Sequence, residues 1–149
     1  MTDRYNLRRF VEAQQGVYQR AVSELRGGRK ESHWMWFIFP QIQGLGHSAM
    51  GQRYAISSIG EAREYLEHPL LGDRLRECTR LVTEIEDRPI EEIFGYPDYL
   101  KFHSSMTLFA RAAGDRNAFT AALAKYFGSE MDPKTLERLG GAGPSTGGD

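Results

Sequence analysis

The sequence predicts an all-α, single-domain array of about seven to nine mostly short helices. Three observations carry that expectation: apolar residues recur at three- and four-residue spacing, capping residues, prolines and glycines punctuate the chain at short intervals, and no two stretches read as pairing strands. The 149 residues fit one domain, large enough to bury about two thirds of the surface its unfolded chain would expose. It is expected to span residues 1–139. The remaining stretch, 140–149, holds five glycines and a proline and reads as a disordered tail, since it has nothing to bury.

From Leu7 the apolar positions Leu7, Phe10, Val11, Val17, Tyr18, Ala21, Val22 and Leu25 predict one amphipathic helix, with Asn6 as N-cap and Gly27-Gly28 as its end. The chain then enters an aromatic block. Two tryptophans, two phenylalanines, a methionine and an isoleucine occupy the six positions from Trp34 to Phe39, too apolar for a free surface and too short for a bilayer. Ser32 can cap and Pro40 can end a short buried helix there. Gly44-Leu45-Gly46 is a turn, without the surrounding residues of a phosphate loop. Ser48 caps a short helix through Tyr54.

Ser58-Ile59-Gly60-Glu61 reads as a capping box for a helix to Glu67. His68-Pro69 opens the next, with proline at the first helical position and Leu71, Leu75, Cys78, Val82 and Ile85 as its apolar face. Asp87-Arg88-Pro89 ends it. Pro89 to Phe94 is a short helix closed by Gly95, and Pro97 starts a longer one with Tyr99, Phe102, Met106, Phe109, Ala110 and Ala113 along its core stripe. After a loop at Gly114-Asp115-Arg116, Asn117 caps a helix with Phe119, Leu123 and Phe127 inward and Gly128 at its end. Asp132-Pro133 starts a last helix to Leu139.

Charge narrows the function. Nineteen Lys plus Arg against 20 Asp plus Glu leave a net charge of -1, which argues against a general nucleic-acid or membrane-surface binder. The single cysteine, Cys78, cannot form an internal disulfide, and Met-Thr-Asp-Arg-Tyr lacks the apolar core of a signal peptide. A cytoplasmic protein is expected. The four histidines, His33, His47, His68 and His103, show no metal-ligand spacing. Neither a metal nor a cofactor is called for.

Two places combine polar chemistry with aromatic surroundings. Arg26, Arg29 and Lys30 stand at the end of the first helix, immediately before His33, Trp34 and Trp36. Cations of this kind can neutralise phosphate or carboxylate, and an indole can stack on a flat base. The plain alternative is that the cations complement a helix C-terminus while the tryptophans fill the core. On the helix from Pro97, Asp98, Lys101 and Ser105 share one shoulder, at about 100° per residue, and His103 and Thr107 share the other. His103 therefore cannot activate Ser104 or Ser105 within that helix. The plain alternative there is close helix packing at the serines, with Asp98 stabilising the helix N-terminus.

His33-Trp34-Met35-Trp36-Phe37-Ile38-Phe39-Pro40-Gln41, Gly44-Leu45-Gly46, Tyr54-Ala55-Ile56, the segment from Glu61-Ala62 to His68-Pro69-Leu70-Leu71-Gly72, and Ser104-Ser105-Met106-Thr107-Leu108-Phe109 resemble a bacterial family. It is the domain-of-unknown-function family numbered 1810, some members of which are mislabelled calpastatin. The resemblance runs from Leu7 to Leu139 and implies a small all-α fold. It brings no established activity. Lys101-Phe102-His103 falls where that family is expected to vary, so His103 takes no role from it. A more distant likeness, in size and in its mix of tryptophan and basic residues, is to N-glycosidases acting on ADP-ribose-like substrates.

The functional expectation is a site for an anionic, nucleotide-like small molecule. Lys30, His33, Trp34, Trp36, Gln41 and Ser105 would bind, with Asp98 as acid or base and Lys101 or Lys30 as the ligand clamp. Hydrolysis of an N-glycosidic bond is its most concrete enzymatic form. The competing expectation is a non-catalytic interaction domain whose aromatic residues are all core, and a third is a structural homodimer.

Overall fold

The computed structural model describes residues 3–114 and 117–140. Among these are ten helices and no strand: α1 (Arg8–Gln14), α2 (Tyr18–Arg26), α3 (Met35–Ile38), α4 (Ala49–Arg53), α5 (Ile59–Glu67), α6 (Leu71–Thr83), α7 (Ile90–Phe94), α8 (Asp98–Ala113), α9 (Ala118–Phe127) and α10 (Pro133–Arg138). The all-α expectation holds, with one helix more than the expected range. The extra element comes from the first predicted helix, which divides at Gly16 (φ 72°) into α1 and α2.

Helix α8 is the axis of the domain and packs against α5, α7, α9 and α10. Its length lets Phe102, Ser104, Ser105, Met106, Thr107, Leu108, Phe109 and Ala110 all be buried, because α5 covers one side and α9 the other. Tyr99 is half-buried and Ala113 exposed, so the predicted stripe frays at both ends. Phe102 stacks on Phe94 at 4.8 Å and meets Phe39 edge-on at 5.1 Å. Each ring so enclosed contributes about 1.5–3 kcal/mol through loss of apolar hydration. The aromatic block is thereby anchored to α7 and α8.

Several helix ends form as predicted. Ser48 accepts from Gly51 N–H, Asp132 accepts from Thr135 N–H, and Asn117 forms a reciprocal capping box with Thr120. Gly95 (φ 78°) and Gly128 (φ 62°) follow α7 and α9.

Others differ, each for a local reason. Asn6 does not cap α1; the Asp3 carboxylate does, accepting from Leu7 N–H at 2.7 Å and Arg8 N–H at 3.0 Å. Ser32 does not cap α3, because its hydroxyl donates to Glu24 Oε2 at 2.5 Å. Ser58 caps α5, but Glu61 reaches past it to Ser57 N–H at 2.8 Å, and its other oxygen pairs with Arg9 at 2.9 Å. Pro69 precedes α6 rather than entering it, since His68 Nδ1 accepts from Leu70 and Leu71 N–H. One pair of residues does bridge in the manner of strands, Ile42 with Ile56, and it pins the loop after α3 to the segment after α4. The tail assignment at 141–149 and the loop residues Asp115 and Arg116 lie outside the described residues.

Candidate functional site

Two turns bring the predicted cations to the start of α8. After α2 the chain reverses at Gly28 (φ 86°), whose carbonyl accepts from Arg88 Nη1 at 2.7 Å. The Lys30 N–H then donates to the Ile93 carbonyl at 2.7 Å, tying the segment to α7. This delivers the Lys30 side chain to the first turn of α8.

There Lys30 Nζ lies 2.8 Å from Asp98 Oδ2, and Lys101 Nζ lies 3.3 Å from Asp98 Oδ1. One carboxylate is shared by two ammonium groups. The side chains are 8% (Lys30), 19% (Asp98) and 26% (Lys101) exposed. Each ammonium also faces an indole, Lys30 Nζ at 5.3 Å from the Trp34 ring and Lys101 Nζ at 5.3 Å from the Trp36 ring. Such contacts contribute about 0.5–2 kcal/mol, more where water is excluded.

Lys101 also faces a cavity of about 520 Å³. Its polar wall is Gln41, Lys101, Ser104, Asp132 and Lys134, and its apolar wall includes Leu45 and Leu100. The volume suits a small-molecule ligand. Asp132 is committed within the protein: its Oδ2 accepts from Ser104 Oγ at 3.1 Å, Thr135 N–H at 3.1 Å and Thr135 Oγ1 at 2.6 Å. A slightly larger cavity of about 540 Å³ lies between α1 and α5, lined in part by Leu7, Val11 and Glu64. It contains none of the residues predicted for the site.

The fold thus gathers Lys30, Asp98 and Lys101 and sets Gln41 on the adjacent cavity wall. Trp36 is half-buried beneath Lys101. Of the remaining predicted residues, Trp34 flanks Lys30 from within the core, whereas His33 and Ser105 do not join the cluster. Trp34 has no exposed surface, and its Nε1 donates to Glu24 Oε1 at 2.8 Å. His33 is exposed, while Ser105 is fully buried with a hydroxyl that has no hydrogen-bond partner among the described residues. His103 stacks on Phe127 at 4.0 Å and bonds the Glu130 carbonyl at 2.8 Å, away from this cluster. Cys78 is buried in the α6 face, which pushes its thiol up to about 12 and leaves no thiolate to react. Among the described residues no group of three His, Cys, Asp or Glu could hold a metal ion. None of the described helices is long and apolar enough to cross a membrane.

A model of a family described only as a protein of unknown function, DUF1810, matches residues 4–139. The chain belongs to the DUF1810 family. A solved structure similar to this chain is that of the conserved hypothetical protein Rv1873 from Mycobacterium tuberculosis, 56% identical, with a TM-score of 0.91, covering 93% of this chain and 99% of that one. No curated protein matches the chain. The comparisons establish family and fold and carry no activity with them.

In this DUF1810 protein Glu24, which the sequence did not nominate, holds the segment that leads to the site. Burial pushes the Glu24 carboxyl up, but hydrogen bonds from Ser32 Oγ, Glu31 N–H, Ser32 N–H and Trp34 Nε1 outweigh it and hold it down at about 2. Glu24 therefore fastens residues 31–34 on either side of which Lys30 and Trp36 project. A folded value below the ordinary 4.5 means that the carboxylate stabilises the fold fully above about pH 4.5, and that this contribution is lost as pH falls toward 2. After solvent screening the loss should be about 2 kcal/mol. Urea unfolding at pH 6 and pH 3 checks this: a little over half of the contribution is lost across that window, so Glu24→Gln should remove about 1 kcal/mol of the wild type's difference between the two pH values, and an unchanged difference would mean that Glu24 is not the clamp.

Proposed function

We propose that the cavity beside Lys101 binds a small anionic molecule of the nucleotide or ADP-ribose type. The observation that carries this reading is the shared carboxylate. Asp98 supplies one negative charge to two ammonium groups, so the cluster keeps a net positive charge in a largely desolvated position. An anion arriving at Lys101 gains more there than it would at a surface lysine, because the surrounding indoles and the rest of the core keep water from screening it. The same reading places the protein in the cytoplasm, where such metabolites are made and used.

An enzymatic form of the reading is hydrolysis of an N-glycosidic bond with Asp98 as acid or base. Both Asp98 oxygens are engaged, at 2.8 and 3.3 Å, so in this arrangement the carboxylate holds two lysines and is not presented to a substrate. Binding is therefore the stronger conclusion. A protein-interaction face is the second reading, supported by Tyr96 and Leu100, which are 79% and 44% exposed beside the same cavity.

A thermal-shift screen against nucleotides, NAD, ADP-ribose and sugar phosphates tests the proposal. A ligand at a hundred times its Kd should add about 2.7 kcal/mol of stability, a rise of several degrees in Tm. Lys101→Ala should abolish the rise. A flat response across the panel would overturn the binding reading and leave the interaction face as the better account.

A further inference from the structure

The turn Gly44-Leu45-Gly46, which looks unremarkable as sequence, borders a second recess of about 310 Å³. The recess shares Leu45 and Lys134 with the cavity beside Lys101, so the two adjoin at these residues and are referred to together as the groove. Its charged wall is His47, Lys134 and Arg138 against Glu137. Among the described residues, Lys134 and Arg138 have neither an ion pair nor a hydrogen bond from their side chains, whereas Lys30 and Lys101 are both committed to Asp98.

The position of Arg138 depends on the turn. Gly44 has φ 96°, and a Cβ there would lie 2.5 Å from Arg138 Cζ and 2.8 Å from its Nη1. Glycine at this positive φ leaves room for the guanidinium to lie against the backbone. The exposed guanidinium lies at the groove wall and forms no ion pair among the described residues, although Glu137 lines the same recess. A planar fork of donors in that condition matches phosphate oxygens.

We propose that this recess is the phosphate subsite of the groove, and that the ligand class is a nucleoside diphosphate. Its phosphates would lie along Lys134 and Arg138, and its less polar end would lie toward Leu45 and Leu100. The inference rests on the binding reading above and deepens it. Asp132 keeps its negative charge, since the Ser104 and Thr135 donors to its Oδ2 are neutral, and the two cations Lys134 and Arg138 have to outweigh it.

The test is isothermal titration of the full chain with ADP, adenosine and inorganic pyrophosphate. ADP should bind at least about tenfold more tightly than adenosine, the size of one charge-assisted hydrogen bond. Lys134→Ala combined with Arg138→Ala, both at exposed positions and so expected to fold, should lower ADP affinity by at least about tenfold and leave adenosine affinity unchanged. Gly44→Ala should weaken ADP in the same direction.

Three results would overturn the proposal. One is ADP bound equally well by the wild type and the double variant, while Lys101→Ala abolishes it; the groove would then bind anions without a phosphate subsite at α10. Another is pyrophosphate binding that survives the double variant. The third is failure of both ADP and pyrophosphate to bind. In that third case a carboxylate ligand whose binding depends on Lys101 would preserve the broader reading, and the absence of any such ligand would remove both.

Discussion

Trp34→Ala is expected to destabilise the domain by about 4 kcal/mol, the usual cost of emptying a fully buried aromatic site. The indole has no exposed surface and packs beside Phe39, with centroids 6.2 Å apart. Its Nε1 is also one of four donors to the Glu24 carboxylate. Truncation therefore opens a cavity and loosens the clamp that holds residues 31–34. Trp34→Phe separates the two effects. It keeps most of the ring and loses the N–H, so it should cost about 1.5–3 kcal/mol, the range for a hydrogen bond to a charged group. Urea denaturation gives both values, with an unchanged m-value confirming that stability alone has moved. A loss below about 1 kcal/mol for Trp34→Ala would contradict the buried position of the indole.

Asp98→Ala is the second large effect. Removing the carboxylate leaves Lys30, 8% exposed, and Lys101 as neighbouring cations with nothing between them. Breaking a buried pair from one side costs about 3–5 kcal/mol in general; with Asp98 19% and Lys101 26% exposed, water relieves part of that, and about 3 kcal/mol is expected. Lys30→Met in the same chain should recover much of the loss, since an apolar side chain fits the space against Trp34 without an unpaired charge. No recovery in the double variant would mean that Asp98 acts through the N-terminus of α8 and not through Lys30.

Much of this architecture is legible in local sequence because its signals are local. Asn117, Asp132 and Ser48 satisfy backbone donors within three residues of themselves, and Gly95 and Gly128 adopt the positive φ that ends a helix. The division between α1 and α2 was less visible. Its signs are Gly16 and the gap between Val11 and Val17, which the periodic run on either side disguises. Glu61 shows the same limit: its spacing from Ser58 fits a capping box, but Arg9 and Ser57 claim the carboxylate.

The site was legible in its residue types more than in its geometry. Lys30, Asp98 and Lys101 stand out as charged residues bordering aromatic stretches, and the fold brings them together. Trp34 and Trp36 could not be told apart in advance, because α3 starts between them at Met35 and turns one indole into the core and leaves the other half-buried. Glu24 and Lys134 were out of reach for a different reason. Glu24 matters through Trp34, Lys134 through the recess it shares with Arg138 and the Gly44 turn, and no periodicity records such contacts.

The two indoles supply the most direct test of the account. In a ¹⁵N-labelled sample each tryptophan gives one indole N–H signal, and titration with ADP follows both together. The account predicts that the Trp36 signal, beneath Lys101, shifts with saturation while the Trp34 signal, held by Glu24 in the core, stays in place. Neither signal moving with ADP or with any other anion of the panel would contradict an anion site at Lys101.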